Sequence, residues 1–222
     1  MDVAIPLFDR FTALDAVGPY EVLSRLPGAR VRFVSHEAGP VSTETRMLTL
    51  VAEAAFEAVP SPEVLVVPGG IGTRALLEDE RLLGWIRGVH ETSQWTTSVC
   101  TGSLLAAAGL LDGLDAATHW GARADLGKLG ARPTARRVVE EGKIITAAGV
   151  SAGIDMALTL AARIAGDDIA RAIQLEIEYD PARARVTTQD HPRRRARRSS
   201  RSSTRSPPSS ARAARPTPRA AA

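Results

Sequence analysis

Thr96-Thr97-Ser98-Val99-Cys100-Thr101-Gly102-Ser103 runs from a β-branched stretch through the chain's single cysteine into the leucine- and alanine-rich run Ser103 to Ala108. Threonine and valine favour a pleated strand, while alanine and leucine favour a helix, so the segment reads as a strand that turns at once into a helix. Such an elbow lifts its central side chain to the end of a sheet and aims the N–H groups of the following helix at it. Helix N-termini favour thiolate, the attacking form of cysteine, so Cys100 reads as a nucleophile. The bland alternative is an inert cysteine packed as a small hydrophobe.

Short apolar runs alternate with helical patterns on both sides of the elbow, which predicts an α/β domain with a mostly parallel sheet. Val3 to Leu7 reads as the first strand and Leu14 to Leu26 as the helix after it, with Val31 to Ser35 as a second strand and a hairpin around Gly39 to Leu50. Val64-Leu65-Val66-Val67, bounded by Pro62 and Pro68-Gly69-Gly70, has the four consecutive aliphatics of a strand buried on both faces. A helix from Glu80 to Thr92 leads to the strand Trp95 to Val99 and the elbow. Beyond it come a strand at Ala116 to Thr118, a helix near Gly121 to Leu129, and a hairpin of Arg137 to Glu140 with Ile144 to Ala147. Helices Ile154 to Ile164 and Asp167 to Ile177 close the domain.

Ligands of open α/β sheets bind outside the carboxyl ends of the strands. Pro68-Gly69-Gly70, Cys100-Thr101-Gly102 and Thr118-His119-Trp120 all fall there. Gly69 or Gly70, with the Thr101 amide, is positioned by this reading to stabilise a developing negative charge, unless the glycines only make a turn. Asp15 either caps the first helix or reaches Cys100; in the second case burial raises its pKa and makes it a general acid, with Glu21 as the fallback carboxylate. His119 is either a partner of the cysteine or a packed supporting residue. One cysteine and scattered histidines supply no zinc-like ligand cluster, so no metal is expected.

Composition separates the chain into two parts. Of 28 basic and 25 acidic residues, twelve arginines and one acid lie in 181–222, leaving residues 1–180 with a net charge of −8. After residue 181 the sequence is almost entirely Arg, Ser, Ala, Pro and Thr, which predicts a disordered tail at 182–222 behind a folded domain at 1–181. The tail is either a solvated appendage or a non-specific, salt-sensitive contact for nucleic acid; nothing in it has the periodicity of a sequence-reading helix pair. The segment Met1 to Leu7 lacks a secretion signal and no apolar run nears the roughly 18 residues of a membrane span, so a cytoplasmic protein with no membrane contact is expected.

Phe11 to Val22, Val64 to Gly70, Val99 to Gly102, Gly109 to Gly113, Ala117 to Trp120, Gly149 to Ala157 and Gln174 to Pro181 resemble, in order, the DJ-1/PfpI superfamily. That resemblance implies a flavodoxin-like three-layer sandwich with a cysteine nucleophile elbow. Within the superfamily the chain is most similar to the isonitrile hydratases, whose aspartate, cysteine and threonine fall on Asp15, Cys100 and Thr101. The implied reaction is hydration of an isonitrile to an N-substituted formamide: Cys100 attacks the terminal carbon, Asp15 protonates the adduct and activates water, and Thr101 positions groups beside the elbow. No cofactor is implied, and a homodimer is expected. Two other functions stay open at this point: a hydratase or deglycase of α-oxoaldehydes, and a non-enzymatic module sensing a ligand or oxidation.

Overall fold

In the computed structural model, residues 1–103 and 109–180 are described. The expected helical run from Ser103 through residue 108 lies mostly, and the expected tail at 182–222 wholly, outside the described residues.

Five strands, β1 (Asp2–Pro6), β2 (Arg30–Ser35), β3 (Gly39–Ser42), β4 (Thr49–Ala52) and β5 (Ala54–Ala55), precede β6 (Val64–Val67) and β7 (Trp95–Val99). β8 (Asp115–Ala116), β9 (Arg132–Pro133), β10 (Val138–Glu141) and β11 (Ile144–Ala147) follow. The helices are α1 (Ala13–Leu23), α2 (Glu80–Thr92), α3 (Arg123–Lys128), α4 (Ala152–Ala165) and α5 (Asp167–Glu176). Seven strands form one sheet in the order β10-β11-β7-β6-β1-β2-β5. All its pairings are parallel except β10 with β11, whose hairpin closes one edge.

The central strands are buried along their length, from Val3 to Ile5 and from Val64 to Val67, because helices cover both faces. The chain leaves β1 in one direction to make β2 and later steps to the other side of β1 to make β6 and β7. Right-handed crossovers running in opposite directions place α1 and α2 on opposite faces, which gives three layers. The strand order reverses between β1 and β6, so the crevice of the sheet opens at their carboxyl ends.

Local chemistry fixes the helices that matter for that crevice. Asp79 caps α2 by accepting from the Leu82 N–H at 3.1 Å, and Leu82, Leu83, Ile86 and Val89 form its buried stripe. α1 and α4 approach closely through small residues: a Cβ on Gly18 would lie 3.1 Å from Ile154, and one on Gly153 would lie 3.3 Å from Pro19. The hairpin of β3 and β4 leans back to the start of α1, where Phe11 and Thr43 form a parallel bridge and the Glu44 N–H donates to the Phe11 carbonyl at 2.9 Å.

Four segments depart from expectation. β8 stops at Ala116 rather than Thr118, because the Ala117 N–H turns to the Thr146 hydroxyl at 2.8 Å. The helix near Gly121 begins as a 3-10 turn at Trp120–Ala122 before α3. β5 and β9, two residues each, pair without any alternation long enough to read in sequence.

Candidate active site

Cys100 follows β7 directly and takes φ of +58°, in the left-handed region that L-residues occupy at a cost of about 1–2 kcal/mol. Hydrogen bonds hold it there. Its N–H is shared between the carbonyls of Ala147 and Ala148 at 3.1 and 3.2 Å, and its carbonyl accepts from the Thr118 and Ser103 hydroxyls at 2.8 and 3.1 Å. The helical turn entered at Gly102 lies so near β6 that a Cβ on Gly102 would stand 2.1 Å from the Val67 carbonyl oxygen. The elbow expected from Val99-Cys100-Thr101-Gly102 is present, and its strain is balanced by neighbouring strands and loops.

Asp15 lies in the first turn of α1, fully buried. Thr12 occupies the N-cap position and the Asp15 side chain does no capping; instead its Oδ2 accepts from the Gly69 N–H at 3.1 Å. Its Oδ1 is buried with no hydrogen bond of good geometry, while the Cys100 thiol is near enough to act on the carboxyl. Of the two readings of Asp15, the structure selects the one facing the cysteine. Glu21, the fallback, is at the surface with Arg25, 2.7 Å away.

Gly69 and Gly70 carry the arrangement through their backbones. A Cβ on Gly69 would fall 2.5 Å from the Thr101 nitrogen and 2.8 Å from Asp15 Oδ2, so only glycine allows the three segments to meet. The Gly70 N–H donates to Thr101 Oγ1 at 2.8 Å, and the same hydroxyl donates to the Gly70 carbonyl at 3.0 Å. Both glycine N–H groups are thus committed to Asp15 and Thr101, not directed at space beside the sulfur. This corrects the expectation that they await a developing negative charge: they position the acid and the elbow. The Thr101 amide, in contrast, bears on the Cys100 sulfur.

The electrostatics also correct the expectation of a resting thiolate. Burial pushes the Cys100 thiol well above its ordinary range, and the neighbouring Asp15 charge raises it further, against the smaller opposing contribution of the Thr101 amide. Desolvation pushes Asp15 up to about 7, against the opposing bonds from Cys100 and Gly69. At rest the sulfur keeps its proton, and the carboxyl beside it is poised to take one near neutrality.

His119 is half-buried and accepts from the Gly121 N–H at Nδ1, 3.2 Å away, which leaves the proton of the neutral ring on Nε2. Burial, with Arg74 and Arg123 nearby, lowers its pKa; Glu44 opposes them. Gly149 connects the ring to the nucleophile: a Cβ there would lie 2.6 Å from His119 Cδ2 and 3.1 Å from Cys100 Sγ. Among the described residues no group of three or more His, Cys, Asp and Glu stands together as a metal site, and none of their helices is long and apolar enough to cross a membrane.

Sequence reasoning gave no site role to Gly149 and Glu44. Gly149 sits in Gly149-Val150-Ser151-Ala152-Gly153, a glycine at the end of β11, and only that strand's position beside β7 reveals what it faces. Glu44 comes from a hairpin turn whose contact with α1 leaves no local signal.

The DJ-1/PfpI family pattern matches residues 1–163. An isonitrile hydratase of Pseudomonas putida is 45% identical over 183 residues, 82% of this chain and 80% of that protein. The crystal structure of a ThiJ/PfpI family protein from Pseudomonas syringae superposes with a TM-score of 0.82 at 33% identity, covering 90% of this chain and 84% of the other. Drosophila melanogaster DJ-1beta shares the fold, with a TM-score of 0.74 at 18% identity over 81% of this chain and 98% of its own.

Proposed function

The chain belongs to the DJ-1/PfpI family, and from that premise we propose that it is an isonitrile hydratase, converting R–NC and water to the formamide R–NH–CHO with Cys100, Asp15 and Thr101 as its working residues. The observation that carries this reading is the buried Asp15 carboxyl, with a pKa of about 7 and a free Oδ1, beside a protonated thiol on a strained elbow. The likeness to the Pseudomonas putida isonitrile hydratase supports the substrate class.

Asp15 in its carboxylate form takes the thiol proton as Cys100 Sγ attacks the terminal carbon. The S–C bond forms, and the proton passes from Asp15 to that carbon, leaving the thioimidate R–N=CH–S. The regenerated carboxylate then removes a proton from water as its oxygen adds to the same carbon, and nitrogen is protonated. Collapse of the tetrahedral adduct expels the sulfur, which recovers a proton, and releases the formamide. Each turnover adds one water and needs no redox partner. Thr101 holds Gly70 and the elbow in register, and its amide faces the sulfur where negative charge grows and is discharged. His119 borders the thiol as a neutral Nε2–H donor. A cytoplasmic homodimer is part of the same proposal.

The test is turnover of cyclohexyl isocyanide by wild type, Cys100→Ala and Asp15→Asn, with methylglyoxal as the competing substrate. Isonitrile hydration abolished in Cys100→Ala and lowered by about 10²–10⁴-fold in Asp15→Asn is the expected result. Turnover surviving Cys100→Ala, or turnover of methylglyoxal in place of the isonitrile, would overturn the reading.

A further inference from the structure

The left-handed conformation of Cys100 has to be held by its surroundings, because a cysteine free to relax would return to negative φ. Both backbone polar groups of the residue are engaged. Its N–H is held by the carbonyl of Ala147, the last residue of β11, and by that of Ala148 just beyond. Its carbonyl accepts from two hydroxyls: Ser103 at 3.1 Å, three residues on, and Thr118 at 2.8 Å, eighteen residues on. The shorter bond comes from the distant residue, so Thr118 is the side chain that ties the elbow's oxygen to the rest of the fold.

Thr118 is itself fixed in place. The Ala117 N–H before it donates to Thr146 Oγ1 at 2.8 Å, and Thr146 lies on β11 in register with Ser98 of β7, two residues before Cys100. Ala117, Thr118 and Thr146 are all buried, so water does not compete for these bonds. The β11 side of the sheet therefore grips Cys100 twice, directly at its nitrogen and through Ala117 and Thr118 at its oxygen. The next residue, His119, carries the ring that meets the sulfur across Gly149.

The Cys100 carbonyl belongs to the peptide unit that carries the Thr101 N–H. In a planar trans peptide the C=O and the N–H point in opposite directions, so two hydroxyls on the Cys100 oxygen also set the aim of the Thr101 N–H. The Thr101 nitrogen stands on the Asp15 side of the elbow: the Cβ position of Gly69 lies 2.5 Å from it and 2.8 Å from Asp15 Oδ2. We infer that Thr118 is a positioning residue for the reaction, whose hydroxyl, acting through the Cys100 carbonyl, holds the nucleophile in its strained conformation and aims the Thr101 N–H at the sulfur as charge grows and is discharged there. The inference deepens the proposed function, resting on the isonitrile reading for turnover and on the elbow alone for the reactivity of the thiol.

The test uses the full chain and three variants. Thr118→Val keeps the volume of the side chain and deletes its hydroxyl, and Thr118→Ser keeps the hydroxyl and deletes a methyl group. Thr97→Val is the control: Thr97 is buried on β7 and its hydroxyl donates to the Leu65 carbonyl at 3.0 Å, so this variant loses a comparable bond that does not hold the elbow. Each is read by a thermal melt, by turnover of cyclohexyl isocyanide and by the rate of Cys100 alkylation with iodoacetamide at pH 9. Thr118→Val should lower kcat by about 10–100-fold with KM little changed. It should also slow alkylation about tenfold, the scale of one hydrogen bond to a charged sulfur. Thr118→Ser should recover most of both, while Thr97→Val shifts the melt and keeps wild-type kcat and alkylation. If Thr118→Val gives no cooperative melt, Ser103→Ala strips the second hydroxyl from the same carbonyl and is measured in its place, with losses in both readouts expected. Wild-type kcat and alkylation in the variant so measured, or losses in Thr97→Val as deep as in that variant, would overturn the inference. Alkylation needs no isonitrile, so a wild type that is alkylated but hydrates no isonitrile would overturn the proposed function, and the alkylation rates would still decide the role of Thr118.

Discussion

The carboxyl of Asp15 and the thiol of Cys100 compete for one proton: the thiol's interaction lowers the pKa of the acid, and the charge of the acid raises that of the thiol. The pair therefore rests as thiol beside a half-ionised carboxyl, and the attacking sulfur is generated only as its proton leaves.

The base role proposed for Asp15 predicts the pH dependence of activity. With its pKa at about 7, the productive carboxylate is lost as the pH falls through that value, so kcat/KM should rise from pH 5.5 to 8 along a single limb centred near 7. Asp15→Asn should abolish the limb and lower kcat/KM by about 10²–10⁴-fold, measured by formamide release across that range.

The same group predicts stability with the opposite sign. A folded-state pKa raised from 3.8 to about 7 means that Asp15 favours the folded protein most below its ordinary value, and that this contribution is lost as pH rises through 7. Asn cannot ionise and still offers Gly69 an acceptor. Urea unfolding should show Asp15→Asn more stable than wild type at pH 8, with the gap narrowing at pH 5; a gap that widens at pH 5 would contradict the buried charge.

Thiol alkylation by iodoacetamide reports the other half of the pair. Because burial and Asp15 both hold the proton on sulfur, the rate for wild type should still be climbing at pH 9.5, above the ordinary cysteine range of about 8.5. Removing the neighbouring charge in Asp15→Asn should move the curve to lower pH. A plateau for wild type near pH 7 would mean a resting thiolate.

Gly149→Ala places a methyl group against the sulfur and the imidazole together. It should leave folding cooperative and reduce kcat/KM by about 10–100-fold by displacing His119 and narrowing the approach to Cys100, read from steady-state kinetics beside a thermal melt.

Thr101→Val keeps the shape of the side chain and deletes its hydroxyl. The Gly70 carbonyl retains the Thr73 hydroxyl at 2.8 Å, but the Gly70 N–H is left buried without an acceptor. Denaturant unfolding should show a loss of about 1–3 kcal/mol.

Much of this molecule was readable in one dimension, and the reason is periodicity. Runs such as Val64 to Val67 and the stripe of Leu82, Leu83, Ile86 and Val89 record burial directly, so the long strands and helices fall where their patterns place them. Two-residue strands such as β5 and β9 are too short to carry a pattern and exist only because a neighbour offers its edge.

The sequence by itself determined the alternation of strand and helix and the elbow at Cys100, because each depends on local residue order, and it left Asp15 open between a helix cap and a partner of the thiol. Tertiary structure alone decided how those groups are charged and what surrounds them. Proton affinity follows from solvent exclusion and from neighbours brought in by distant segments: Gly69 from β6, Gly149 from β11, Glu44 from a hairpin and Arg123 from α3. Sulfur at a helix start reads as thiolate when helix dipoles are the only force in view; once the fold buries it beside a carboxyl, desolvation is the larger effect and the proton stays.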